Sequence, residues 1–93
     1  MLNNIDWSKL ITKAMKVEAE AARALAAVVA ETEKQRAIAD KAIAPLQDAI
    51  DVDDATPTDV ALLKSWKKFR VALSRLPEQP GYPTTIDWPG FPA

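Results

Sequence analysis

Apolar residues recur through the first half of the chain at helical spacing. Steps of four and three from Ile11 reach Met15, Glu18, Ala22, Leu25, Val29, Thr32, Arg36, Ala39, Ile43, Leu46 and Ile50; counting Ile11, nine of these twelve positions are apolar. A seam of this period predicts a long helix that packs on a partner helix. Residues 6–50 hold no Gly and a single Pro, Pro45, and good helix formers dominate them. Asp6, or Asn4 close by, is suited to cap the start. Glu31 to Arg36 is polar on every face but holds no breaker, so the helix is expected to continue through it. Pro45 lacks an amide donor and crowds the preceding turn, which predicts a kink or a new helix near Ala44–Pro45.

Residues 51–55 form an acidic connector, with Asp51, Asp53 and Asp54 following Asp48. Thr56-Pro57-Thr58-Asp59 then reads as a helix start: Thr at the cap, Pro in the first helical position, and an acidic residue three positions after the cap. The second helix is expected over 57–76. Leu62, Trp66, Phe69, Leu73 and Leu76 form its apolar face, which Val60 and Leu63 widen. Residues 77–93 hold five of the seven Pro and both Gly. Pro77 is expected to end the helix, and Pro80-Gly81 reads as a turn. Thr84 to Trp88 is β-prone, suited to a short strand or an extended arm. The reading is one all-α domain over residues 1–93: a long Ala-rich helix and a shorter amphipathic helix in an antiparallel hairpin, with an extended tail rich in Pro and aromatic residues.

Composition changes this picture in one respect. The chain has 93 residues, 17 of them Ala. Ala buries little area, and domains of this size are marginal alone. Burial against another chain is therefore expected, with a homo-oligomer, a dimer, as the working form. Twelve basic and thirteen acidic residues give a net charge of −1, which argues against a general nucleic-acid binder. There is no Cys and no His, so thiol nucleophiles, thiolate metal sites and the commonest general base are excluded. Ser8, Ser65 and Ser74 have no His to activate them, and no Gly-rich phosphate loop exists. The expectation is a non-enzyme with no catalytic residue, no metal and no cofactor. Met1 to Leu10 lacks the pattern of a targeting signal, and Ala21 to Ala30 is too short and carries Arg23, so the chain reads as cytosolic and not membrane-bound.

Three features could still carry function. The Asp cluster invites a calcium reading, but a calcium loop counted from Asp51 would need Gly and Glu where Thr56 and Leu62 stand. A solvated connector is the better reading. Lys64, Lys67, Lys68, Arg70 and Arg75 interleave with Trp66 and Phe69, a pattern used by nucleic-acid binders. Cations also gather toward a helix C-terminus for electrostatic reasons, and these aromatics share the apolar face; that reading explains their spacing. Tyr82, Trp88 and Phe91 each neighbour a Pro in the tail. Such aromatics need somewhere to bury, either on the protein's own helices or on a partner.

The second helix and tail together resemble the C-terminal region of bacteriophage tail fibre assembly proteins. The matching features are Leu46 to Ala49 at a helix end, Ala55-Thr56 in an acidic connector, Trp66-Lys67-Lys68-Phe69-Arg70-Val71, and the closing Ile86 to Pro92. The resemblance covers Arg36 to Ala93; longer members carry an additional N-terminal region, which this chain is expected to lack or to have shortened. It implies a small chaperone that assists folding and trimerisation of the tail fibre and engages its distal, receptor-binding end, in phages and in bacteriocins derived from phage tails. The partner would be the fibre protein, met in the host cytoplasm, with retention on the fibre tip as an option. Lys67, Lys68 and Arg70 could then meet acidic fibre surface, and Tyr82, Ile86, Trp88 and Phe91 are the further contact candidates. Two other readings stand beside it: a nucleic-acid-binding or regulatory helical protein using the basic second helix, and a purely structural oligomeric coiled coil.

Overall fold

The computed structural model describes residues 7–92, with side chains from Met15 onward. The expected cap at Asp6 or Asn4 and the Ile11 side chain lie outside the described residues. Helix α1 spans Trp7–Asp51, α2 spans Pro57–Ser74, and a 3-10 turn covers Leu76–Glu78. No strand occurs among the described residues.

α1 is 45 residues long and runs through Pro45 as one element. Pro45 has no N–H to give the Lys41 carbonyl, but both residues are exposed, so water can satisfy that acceptor. The helix stops at the acidic connector for a local reason. Asp53 adopts a left-handed conformation with φ 57°. The Asp54 N–H donates to the Ala49 carbonyl (2.8 Å) and the Asp53 N–H to the Ile50 carbonyl (3.1 Å), the two bonds of a Schellman stop. α2 begins three residues after Asp54, at Pro57. The Asp59 N–H donates to Thr56 Oγ1 (3.1 Å) and the Thr56 N–H to Asp59 Oδ2 (3.0 Å), a reciprocal capping box with Pro57 in the first turn.

The two helices pack antiparallel. Lys67 Nζ donates to Gln47 Oε1 (3.2 Å), and one turn on Arg70 pairs with Asp40 (3.0 Å), so advancing along α2 moves back along α1. Ala39 is fully buried, and its small side chain lets Phe69, Leu73 and Leu76 close over it. Leu73 and Leu76 are 1% exposed, each worth about 1.5–3 kcal/mol of transfer free energy. Ile43 and Leu63 continue the buried seam toward the hairpin loop.

Several expectations change in the structure. Burial on α1 follows Val28, Gln35, Ala39 and Ile43, whereas Leu25 and Val29 are exposed. α2 has 18 residues and is about 27 Å long, against about 67 Å for α1, so it reaches only the C-terminal part of the seam. Within the seam, Thr32 donates its hydroxyl to the Val28 carbonyl (2.7 Å) and Gln35 donates to Glu31 (3.0 Å), which lets polar residues sit there. Gln35 Oε1 is buried without a partner. Val60 does not widen the apolar face of α2; it is 50% exposed.

α2 ends at Ser74, and Leu76-Pro77-Glu78 forms the 3-10 turn, since Pro fits the start of such a turn. The tail that follows folds back. Gln79 acts as a clamp: its Nε2 donates to the Asp87 carbonyl and its Oε1 accepts from the Asp87 N–H, both at 2.8 Å. The Thr84 and Thr85 N–H groups both donate to the Gly81 carbonyl, so the stretch expected to be β-prone begins in a tight turn. Tyr82, Ile86 and Trp88 pack against the Ala39–Phe69–Leu73–Leu76 cluster.

Candidate functional site

The seven candidate contact residues fall in three places. Tyr82, Ile86 and Trp88 are half-buried on the core that α1 and α2 share, so the tail aromatics find burial on the protein's own helices. Phe91 is half-exposed. Its ring stacks on Phe69 at 5.0 Å between centroids and lies 6.3 Å from Trp66, which meets Phe69 edge-on at 5.7 Å. The three rings hold the end of the tail down and leave one side of Phe91 open.

The basic run divides. Arg70 reaches across to α1 and pairs with Asp40 Oδ1, with both side chains well exposed. Lys67 and Lys68 line a shallow, open groove along the flank of α2, Lys67 from the edge where its Nζ also meets Gln47 of α1. Its centre line is Val60, Lys64, Lys67, Lys68, Val71 and Arg75, spaced as one face of a helix, with Glu78 to Pro80 closing one end and Ile50 the other. Val60 and Val71 are 50% and 45% exposed. Among the described residues Arg70–Asp40 is the one ion pair, so Lys64, Lys67, Lys68 and Arg75 have no carboxylate partner there. The aromatics that interleave with these cations in sequence turn away: Phe69 is buried and Trp66 packs on the core.

No cluster of three or more metal-ligating side chains occurs among the described residues, and no described helix is long and apolar enough to cross a membrane. What the arrangement can do is bind: two apolar spots set among four cations.

Comparison with known proteins places the whole of this architecture in one family. Residues 3–93 match the family model described as Caudovirales tail fibre assembly protein, lambda gpK. The chain belongs to the tail fibre assembly protein family. Among curated relatives, it is 44% identical over 55 residues to the prophage tail fiber assembly protein homolog TfaR of Escherichia coli (strain K12), covering 59% of this chain and 28% of that protein. It is 44% identical over the same length to the tail fiber assembly protein of Escherichia phage lambda, covering 59% of this chain and 27% of that protein. With the probable tail fiber assembly protein of Acyrthosiphon pisum secondary endosymbiont phage 1 it shares 46% identity over 50 residues, 54% of this chain and 31% of that one. The matched stretch is thus under a third of each relative's own length. No solved structure matches the chain.

For this family member, Lys67 and Lys68 stand at the open surface and Arg70 stands apart from it. The sequence-based fibre-contact candidates omit Val60, Lys64, Val71 and Arg75, although Lys64 and Arg75 belong to the basic run already singled out. Their signal is present in the sequence: they share one face of α2, opposite the apolar one, at the same helical period.

Proposed function

We propose that this chain is a tail fibre assembly chaperone. It binds the fibre protein of its phage or prophage at the distal, receptor-binding end and assists folding and trimerisation, without catalysing a covalent step. The observation that carries this reading is the family match over residues 3–93. Physical reasoning is consistent with it. Fibrous β-structure forms through non-local pairings that close slowly and leave edges exposed in the meantime. A helical protein that covers those surfaces until three chains associate reduces aggregation, and binding and release suffice to drive the cycle.

The host cytoplasm is the site of action in this reading, and the binding form is a dimer. The dimer rests on the exposed Met15, Val17 and Leu25 along the part of α1 that projects beyond α2. Such a lone helix gains stability when a second copy covers it.

Co-expression with the fibre gene encoded beside this one tests the proposal. The yield of soluble, SDS-resistant fibre trimer is expected to rise several-fold when this chain is present, with the two proteins co-purifying. An unchanged trimer yield and no co-purification would refute it.

A further inference from the structure

We propose that the outer flank of α2 is a docking site for an acidic segment of the client fibre that carries apolar side chains among its carboxylates. The inference rests on the assembly reading above and names where and how the client is held.

Charge and shape carry the argument. The whole chain has net charge −1, yet Lys64, Lys67, Lys68 and Arg75 line one face, with Glu78 the single acidic residue at its edge. Each of these cations lacks a carboxylate within ion-pairing distance among the described residues. Val60 and Val71 stand half-exposed on the same face. Eleven residues of helix separate them, about 16 Å along the axis. An occupant that sets apolar side chains on both valines and carboxylates between them would neutralise the cations and bury the apolar spots together.

Two other occupants fit less well. Nucleic acid would use aromatic platforms beside the cations, but Trp66 and Phe69 face the core and leave none on this side. A second copy laid face to face by twofold symmetry would set Lys64, Lys67 and Lys68 against the same residues of its mate, a like-charge contact that disfavours pairing.

The test uses the full chain and the fibre protein encoded beside it, with affinity measured by titration at two salt concentrations. Lys64→Glu with Lys68→Glu reverses two charges on the face. Lys34→Glu with Lys41→Glu makes the same change of net charge at exposed positions on α1. The α2 reversal is expected to weaken fibre binding at least tenfold and to flatten its salt dependence. The α1 reversal should stay within twofold of the parent. Circular dichroism checks that each variant keeps its helix content, and Lys64→Gln with Lys68→Gln gives a milder version, expected to lose severalfold in affinity.

Several outcomes overturn the inference. Parent-like fibre binding by the α2 reversal, with trimer yield still dependent on the chain, removes the docking site and leaves the assembly role standing. Failure of the parent chain to bind the fibre at all removes both. Loss of self-association, or of binding to generic DNA, with fibre affinity unchanged would assign the face to a second copy or to nucleic acid instead.

Discussion

The two halves of α1 share one helix and differ in everything that surrounds it. From Val28 to Ile50 the helix is covered by α2 and the returning tail, and it holds the buried residues Val28, Gln35, Ala39 and Ile43. From Met15 to Ala27 no residue is buried, and Met15, Val17 and Leu25 are exposed. The molecule is accordingly 80 Å long and 19 by 16 Å across, with a radius of gyration of 21.5 Å. A compact chain of about 100 residues would have roughly 13 Å. One half is held by tertiary packing, whereas the other depends on helix propensity and on whatever it meets. The contrast shows that a continuous helix is not a continuous fold: local preference carried by Ala, Glu and Lys extends the rod, but only burial makes it specific.

The largest expected effect sharpens this contrast. Phe69→Ala, at a side chain 3% exposed and stacked on Phe91, should cost about 3–5 kcal/mol in urea unfolding. Leu25→Ala, on the projecting half, should stay within about 0.5 kcal/mol at a concentration where the chain is monomeric. Comparable costs at the two positions would mean that the two halves of α1 are packed alike.

The tail gives the next effects. A Cβ on Gly81 would sit 2.8 Å from Thr85 Cβ and 2.9 Å from the Thr85 carbonyl oxygen, so the turn must open. Gly81→Ala should destabilise by about 1–3 kcal/mol, read by unfolding and by a change in Trp fluorescence as Trp88 loses its packing. Gln79→Ala removes both bonds to Asp87 and should cost about 1 kcal/mol, because the clamp is exposed to water. If neither change moves the unfolding midpoint, the tail is not part of the folded half.

How far the sequence discloses this structure depends on how local each feature is. The capping box at Thr56 and Asp59 is readable because its two bonds join residues three apart. Leu62, Trp66, Phe69, Leu73 and Leu76 are readable as a face because α2 is covered along its core side. The α1 seam is readable at Ala39 and Ile43 but misleads at Leu25 and Val29, since heptad spacing carries no information about where the partner helix ends. The tail is legible only in outline. Its many Pro residues speak against a helix, but the closure depends on Gln79 reaching Asp87, a contact no local rule anticipates. The open face of α2 is half-legible: the cations stand out as a run, but sorting Lys67 and Lys68 from Arg70 requires knowing where Asp40 lies.

The smallest effects probe the joints of the folded half. Asp53 is held at φ 57°, where Gly is unstrained, so Asp53→Gly should stabilise by about 0.5–1 kcal/mol in thermal or urea unfolding. Asp40→Asn removes the exposed pair with Arg70 and should cost under about 1 kcal/mol, less at high salt. A larger loss there would mean that the pair does more than decorate the helix contact.

Hydrogen exchange on the intact chain, alone and with the fibre protein encoded beside it, separates the packed half of α1 from the projecting half. In the free chain at low concentration, amides from Val28 to Ile50 and through α2 should exchange slowly, and those from Met15 to Ala27 orders of magnitude faster. Adding the fibre should deepen protection in α2 and the tail. Equal protection along all of α1 in the free monomer, or no change in α2 and the tail when the fibre is added, would contradict the account.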